Sequence, residues 1–159
     1  MKIILEEYPD VRLAIAGRRT SHTLDLMKLS KKLGIEDKIS FIGEVHGKDL
    51  TLLYSEAAVY AFPPPQEDFG LGPIEAMACM TPVVAWDYAG PKETIVNGVT
   101  GYKAKPYDLT DFAEKILKIL ENPDLRAKLG KSAIAHVLKK FTWEKHTDTL
   151  IRILRRLTN

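Results

Sequence analysis

The stretch AVYAFPPPQEDFGLGPIEAMA, residues 58–78, decides the fold. Residues 58–62 form a short, wholly apolar run, which is typical of a strand buried on both faces of a parallel sheet. Three prolines then end the strand, an acidic loop follows, and an alanine-rich segment predicts a helix. A strand, a loop and a helix in this order make up part of a βαβ unit. We therefore expect a parallel sheet whose strands are joined by helices.

The same pattern recurs along the chain. Further apolar runs predict strands at residues 11–16, 39–42 and 82–86, and a shorter strand is expected at 101–103. Apolar residues at helical spacing lie between them, for example at Leu50, Leu53, Tyr54 and Ala57. The predicted class is α/β, a Rossmann-like doubly wound parallel sheet with helices on both faces and a helical C-terminal end. We expect one domain over residues 1–159, with βα units to about residue 107 and helices over 108–159.

Composition excludes several classes of protein. The formal net charge of +2 argues against a nucleic-acid partner. Cys79 is the single cysteine, so no disulfide framework and no cysteine metal site forms within the chain, and a reducing, cytoplasmic compartment fits best. No apolar run is long enough to span a membrane. One glutamine and three asparagines beside many lysines and glutamates suggest a thermophilic source.

The C-terminal end is locally basic. Over residues 124–159, Lys and Arg clearly outnumber Asp and Glu. A solvated helix face is the preferred interpretation, and contact with phosphate or with the surface of an anionic membrane is the alternative. Four residues of the last helix, Leu150, Ile151, Leu154 and Leu157, form an apolar stripe that we expect to be partly uncovered.

The loop and helix at residues 63–78 carry the chemistry, because doubly wound sheets bind ligands beyond the carboxyl ends of their strands. Gly70 and Gly72 let the backbone approach a ligand closely. The first N–H groups of the following helix, at its positive dipole end, suit a diphosphate. Glu75, about one turn inside the helix, would accept the hydroxyls of a ribose, and Glu67 would face the sugar beyond the phosphates.

The Glu-x7-Glu spacing is not specific by itself. Glu36 and Glu44 have the same spacing but bracket the strand at residues 39–42, so they do not share this geometry. A solvent-exposed loop carboxylate is the alternative interpretation of Glu67, and a polar position on a packed helix is that of Glu75. The context of strand end, prolines, acidic loop and alanine-rich helix separates this pair from a chance one.

That context resembles the group-1 family of retaining glycosyltransferases, of GT-B architecture. The resemblance runs from about Tyr8 to the region of Trp143. It rests on an ordered series of motifs: Glu-Asp-Phe-Gly-Leu at 67–71, Glu-Ala-Met-Ala at 75–78, Thr-Pro-Val-Val-Ala at 81–85, Gly-Pro-Lys-Glu at 90–93 and Asn-Gly-Val-Thr-Gly-Tyr at 97–102. In that family the matching region is the C-terminal domain, which binds the nucleotide-sugar donor.

The resemblance implies a role for each matching position. Glu67 would be catalytic and touch the donor sugar near the reacting centre. The backbone of Phe69, Gly70 and Leu71 would hold the distal phosphate, Glu75 the ribose, and the loop around Val45 would border the base. Transfer would proceed with retention of configuration. The resemblance implies no metal and no cofactor, the nucleotide diphosphate sugar being the donor substrate.

The sequence departs from the family pattern in two ways. The Gly-Arg and Lys that clamp the diphosphate in the family do not occur before the first helix, nor does an N-terminal acceptor domain, and the first strand is expected to be absent with them. We therefore expect the isolated chain to be inactive or nearly so, and to need that domain or a partner chain. In addition, Met80 and Ala89 stand where the family often has glycine.

Two other functions remain open at this stage. One is a stand-alone nucleotide-sugar-binding or regulatory module that transfers nothing, which the missing clamp favours. The other is a nucleotide-sugar epimerase of the same architecture, which fits the motif series less well. The four histidines, His22, His46, His136 and His146, are scattered, and we expect them at the surface or as caps. Cys79 is expected in the packed core.

Overall fold

A computed structural model of the chain describes residues 1–157; residues 158 and 159 of the predicted domain lie outside the described part. Helices and strands alternate up to residue 104, and helices follow. The strands are β1 (Leu13–Ala16), β2 (Ile39–Gly43), β3 (Tyr60–Phe62), β4 (Val83–Trp86) and β5 (Gly101–Ala104). The helices are α1 (Lys2–Glu7), α2 (Ser21–Lys32), α3 (Gly47–Glu56), α4 (Leu71–Ala78), α5 (Ala89–Thr94), α6 (Leu109–Leu120), α7 (Pro123–Lys140) and α8 (Trp143–Leu157). The predicted α/β class and helical C-terminal end are confirmed.

The strands pair in parallel, but they form two sheets. β1 pairs with β2, while β3, β4 and β5 form a second sheet in that order. The register of the second sheet sets Phe62 opposite Ala85 and Trp86 opposite Ala104, so the carboxyl ends of its strands lie at one edge. Within residues 1–157, no ladder of hydrogen bonds joins β1 to β3.

Burial differs between the two sheets. Every residue of β4 is buried, because this strand lies between β3 and β5 and helices pack against it. In β1 and β2, by contrast, alternate residues such as Ala14, Ser40 and Ile42 are exposed. The expectation that each strand is buried on both faces was therefore wrong for this pair, since only one of its faces is covered in the described structure.

The core of the larger sheet has two parts. On one side, Val84 and Trp86 pack with Phe112 and Ile116 of α6. On the other, Val83 and Ala85 join the core cluster formed with α4 and α7. Side-chain caps fix the starts of α6 and α7: Asp108 Oδ1 accepts a hydrogen bond from Asp111 N–H (3.1 Å), and Asn122 Oδ1 accepts one from Leu125 N–H (2.9 Å). The chain breaks between α6 and α7 at residues 121–122.

Helix α8 is amphipathic, and the apolar stripe predicted on it is exposed. Trp143 is 82% exposed and Leu157 78% exposed, and no residue of this helix is buried. None of the helices within residues 1–157 is long and apolar enough to cross a bilayer. The partner that would cover the stripe stays a prediction.

Three non-glycine residues among the described ones occupy backbone conformations that favour glycine: Met80, Ala89 and Tyr107, the last with a φ of +64°. Met80 and Ala89 have φ values of +63° and +48°, in the left-handed region where a Cβ atom crowds the following carbonyl oxygen. These are the two positions at which the family often has glycine. The departure noted in the sequence is thus a local strain in the structure.

Replacing Ala89 by glycine is expected to stabilise the fold. Ala89→Gly removes the Cβ atom that causes the left-handed strain, so the free energy of unfolding should rise by about 1 kcal/mol. The matched control is Ala127→Gly, the same chemical change at an exposed position inside α7, which should lower it by about 1 kcal/mol. Urea unfolding of both variants measures the sign of each change in the free energy of unfolding. A loss of stability in Ala89→Gly would contradict the assignment of strain.

Candidate functional site

The acidic loop lies where the sequence predicted it, between the end of β3 at Phe62 and the start of α4 at Leu71. Gly70 is the N-cap of α4, and its φ of +89° turns the chain from the loop into the helix in a conformation that suits glycine. Pro73 follows in the first turn, where its missing N–H costs no helical hydrogen bond. Gly70 and Pro73 therefore shape the entry into α4, and the close approach of Gly70 to a ligand stays a prediction.

The start of α4 presents unpaired donors. The N–H groups of Leu71 and Gly72 make no hydrogen bond to any other group within residues 1–157. The first N–H groups of a helix lack partners inside the helix and lie at the positive end of its dipole. Leu71 is 64% exposed, so these donors lie at the surface. The helix start can therefore accept an anion such as a phosphate oxygen.

Glu67 occupies the backbone donors just before the helix. Its Oε1 atom accepts a hydrogen bond from Gly70 N–H at 2.9 Å and a longer one from Phe69 N–H at 3.4 Å. The sequence assigned those two N–H groups to the distal phosphate and Glu67 to the sugar. The N–H groups of Phe69 and Gly70 cannot bind the phosphate and the Glu67 carboxylate together. A phosphate that binds them must displace the carboxylate.

Three distant segments hold this loop in place. The N–H of Gly90 donates to the Glu67 carbonyl oxygen at 2.8 Å, and a Cβ atom at Gly90 would lie 2.5 Å from the backbone of Phe69. The Tyr107 hydroxyl donates to the Pro65 carbonyl oxygen at 2.9 Å. The ring of Phe69 meets that of Phe141 edge to face, with centroids 6.1 Å apart. Side-chain and backbone contacts together fix the direction in which the loop amides point.

Glu75 is the fifth residue of α4 and is exposed, one turn inside the helix as predicted. Its Oε2 atom accepts a hydrogen bond from the Tyr54 hydroxyl of α3 at 3.1 Å. The structure thus brings Glu67, Phe69, Gly70, Leu71 and Glu75 together on one loop and helix.

Val45, the remaining predicted site residue, lies on another segment of the chain. It lies half-buried between β2 and α3, at the end of the smaller sheet, and no hydrogen bond links it to the acidic loop. Its place beside the base stays a prediction.

Packing inside the protein, and not only approach to a ligand, favours glycine at position 72. A Cβ atom there would lie 2.8 Å from the hydroxyl oxygen of Tyr60, so the close approach is to a side chain of β3. The sequence attributed it to a ligand. The same position still leaves the Gly72 N–H available at the helix start.

Several contributing residues were missed from the sequence. Gly90 was part of the motif series but had no role, and Tyr54 was assigned only to the apolar face of a helix. Tyr107 gave no sequence signal. Two packing expectations were also wrong: His136 is half-buried, with burial lowering its pKa, and Cys79 is half-buried and not in the packed core. Burial raises the pKa of the Cys79 thiol, as does the charge of Glu75.

The carboxylates of the acidic loop and of α4 form no ion pair in the part of the chain that the structure describes. None of the ion pairs found in residues 1–157 involves Glu67, Asp68 or Glu75. Arg18 pairs instead with Glu44 at the end of the smaller sheet, at 3.6 Å. In the same residues no three His, Cys, Asp or Glu side chains cluster as metal ligands would.

Comparison with known proteins agrees with this geometry. The sequence profile of the family described as "Glycosyl transferases group 1" matches residues 1–136. The chain belongs to the group 1 glycosyltransferases. Its similarity to the D-inositol 3-phosphate glycosyltransferase of Saccharomonospora viridis is 37% identity over 140 residues, covering 88% of this chain and 32% of the relative. The chain thus spans about a third of the length of this curated relative.

Solved structures share the fold. The sucrose-phosphate synthase of Thermosynechococcus elongatus is 28% identical, with a TM-score of 0.84, over 98% of this chain and 41% of that one. The C-terminal domain of the group 1 family protein LpcC from Francisella tularensis is 27% identical, with a TM-score of 0.77, over 89% of this chain and 75% of that domain. The match to a C-terminal domain confirms the part of the GT-B architecture that the sequence indicated.

The hydrogen bonds of Glu67 should contribute to stability. Glu67→Ala removes the side-chain acceptor for Phe69 and Gly70, and by analogy with an N-cap the free energy of unfolding should fall by about 1 kcal/mol. Asp68→Ala is the matched control, because Asp68 is an exposed neighbour without such bonds, and it should change stability by less than about 0.5 kcal/mol. Equal effects of the two substitutions in urea unfolding would contradict the role given to Glu67.

Proposed function

We propose that the chain is the donor-binding domain of a retaining, metal-independent glycosyltransferase, which transfers a hexosyl group from a nucleotide diphosphate sugar to an acceptor. The observation that carries the proposal is the single loop and helix from Glu67 to Glu75. It sets two carboxylates on either side of unpaired backbone donors, the pattern needed for a sugar, a diphosphate and a ribose in that order.

The site residues divide the work along the donor. The backbone N–H groups of Phe69, Gly70 and Leu71 would hold the distal phosphate, and Glu75 would accept hydrogen bonds from the ribose hydroxyls. Val45 would border the base. Once the phosphate takes the N–H groups of Phe69 and Gly70, the Glu67 carboxylate is released toward the donor sugar. Phosphate binding would thereby place the catalytic carboxylate.

Transfer with retention follows from attack on the face that the leaving group vacates. The bond between the anomeric carbon and the phosphate oxygen breaks, positive charge develops on the sugar, and the acceptor hydroxyl attacks from the same side. Its proton passes to the departing phosphate oxygen, so charge and atoms balance. Glu67 would stabilise the positive sugar, and the amides at the start of α4 would stabilise the diphosphate.

The diphosphate needs more positive charge than the described residues provide at the loop. No Lys or Arg pairs with Glu67, Asp68 or Glu75. The curated relative is about three times as long as the matched region, so further segments exist in proteins of this family to supply it. We infer that transfer requires an N-terminal acceptor domain or a partner chain, and that this chain alone does not turn over.

A stand-alone nucleotide-sugar-binding module is the second candidate, favoured by the same absence of ion pairs at the loop within residues 1–157. Glu67 argues for the transferase, because a pure binder needs no carboxylate at the transferred sugar. For either function we propose a cytoplasmic location, which suits a chain with one cysteine, and the scarcity of Asn and Gln suits a thermophilic source.

Binding of the donor is tested by titration calorimetry of the chain with UDP-glucose, GDP-mannose and ADP-glucose at millimolar concentration. One of them should bind, and Glu75→Ala should weaken that binding by roughly tenfold or more, since a hydrogen bond to a charged group is lost. Glu114→Ala, at an exposed position on α6, is the matched control and should bind normally. If none of the three donors binds, the donor-site proposal is wrong.

Metal independence makes a separate prediction. Binding of the same donor should be unchanged by an excess of EDTA and should not gain from added Mg²⁺ or Mn²⁺, because the backbone amides at the start of α4 would bind the phosphate. Calorimetry with and without the chelator measures this directly. Tighter binding on adding either cation would contradict the proposal and leave the assignment of Glu75 untouched.

A further inference from the structure

The Tyr54 hydroxyl is the side-chain partner of Glu75. The two residues come from different helices, α3 and α4, and their contact spans 21 positions of sequence. The phenolic oxygen lies 3.1 Å from Glu75 Oε2, within hydrogen-bonding distance of a carboxylate that is otherwise exposed. The contact therefore fixes one oxygen of the carboxylate to which we assign the ribose.

Tyr54 is itself held firmly. The hydroxyl of Thr81, a residue only 2% exposed, donates to the Tyr54 carbonyl oxygen at 2.6 Å. The ring of Tyr54 meets that of Tyr60 edge to face with centroids 5.3 Å apart, and Tyr60 in turn stacks on Phe62 at 5.7 Å. Backbone and ring are both anchored, so the hydroxyl reaches Glu75 from a fixed position.

The hydroxyl keeps its proton at neutral pH. Burial, followed by the neighbouring Tyr60 and the negative charge of Glu75, raises the pKa of Tyr54 far above its ordinary value. Tyr54 is therefore the donor and Glu75 the acceptor of this hydrogen bond.

The hydrogen bond leaves room for a ligand. A carboxylate offers about four lone-pair positions on its two oxygens, and Tyr54 uses one of them. Two neighbouring hydroxyls of a ribose can still each donate to Glu75. An exposed glutamate loses side-chain conformational entropy on being ordered by a ligand, and a residue ordered beforehand loses less.

We propose that Tyr54 is a positioning residue for the nucleotide site: its hydroxyl orients Glu75 so that the carboxylate accepts both ribose hydroxyls. The proposal rests on the proposed function, because it concerns how the donor's ribose is recognised. It predicts that removing the hydroxyl weakens binding only of ligands that carry the ribose hydroxyls.

The test is calorimetry of the 159-residue chain with UDP, GDP and ADP and with their 2′,3′-dideoxy forms. For the nucleotide that binds, Tyr54→Phe should weaken affinity by about fivefold, as expected for one hydrogen bond. The affinity of the corresponding dideoxynucleotide should not change. Tyr102→Phe is the matched control: it removes a hydroxyl from β5, where the ring faces Lys118 Nζ at 5.0 Å, and should leave both affinities unchanged.

A double-mutant cycle gives a second measurement. In the Glu75→Ala background, Tyr54→Phe should have no further effect on nucleotide affinity, because the hydroxyl acts through the carboxylate. Thermal unfolding of each variant checks that the fold is kept. The phenylalanine ring preserves the contact with Tyr60, so the variant should unfold near the temperature of the unmodified chain.

Each other outcome overturns a different statement. An equal loss for the nucleotide and its dideoxy form, or no loss at all, would show that Tyr54 only packs, and the donor site would stand without it. Equal binding of a nucleotide and its dideoxy form by the unmodified chain would show that Glu75 does not bind the ribose hydroxyls, and the proposal for Tyr54 would then be wrong. Binding of no nucleotide would refute the proposed function itself.

Discussion

The close packing of Gly90 under the acidic loop is the constraint on which the site depends. A residue with a Cβ atom at this position would collide with the backbone of Phe69, and the Gly90 N–H is already given to the Glu67 carbonyl oxygen. The loop therefore has one backbone path across the start of α5. That path aims the N–H groups of Phe69 and Gly70 at a common point, which Glu67 Oε1 occupies. The geometry of the site at the end of β3 thus depends on α5, the helix that follows β4.

The two carboxylates of the site are held in different ways, which suits the different roles proposed for them. Glu67 is bound to backbone donors that an anionic ligand would compete for, so ligand binding changes its position. Glu75 is bound to Tyr54, a side chain that no phosphate displaces, so ligand binding adds to an arrangement already present. For a carboxylate proposed to act at the reacting centre, release on ligand binding would let it move to the sugar. For a carboxylate proposed to bind the ribose, being ordered beforehand lowers the entropy cost of binding.

Local patterns in the sequence predicted the strands and helices, but they did not predict the contacts between segments far apart in the chain. Apolar runs predicted the first four strands, because such a run depends only on neighbouring residues. Gly90 against Phe69 and Tyr54 against Glu75 join segments far apart in the chain, and nothing in the local sequence of either partner encodes the other. Met80 and Ala89 are intermediate cases. Their left-handed conformation became visible only through comparison with a family that often has glycine there.

Electrostatics decides how much of the activity this domain can support. The loop and helix carry Glu67, Asp68 and Glu75, and a unit charge 4 Å from another contributes about 4 kcal/mol of repulsion at the effective dielectric of a protein surface. The dipole of a helix start offsets about 1 kcal/mol, rising to about 2 in favourable geometry. The amides of α4 can therefore orient a diphosphate but cannot by themselves neutralise it beside these carboxylates. In the proposed reaction, positive side chains from outside this loop would provide the remainder, and because charge on the diphosphate would grow as the sugar leaves, they would contribute more to transfer than to binding.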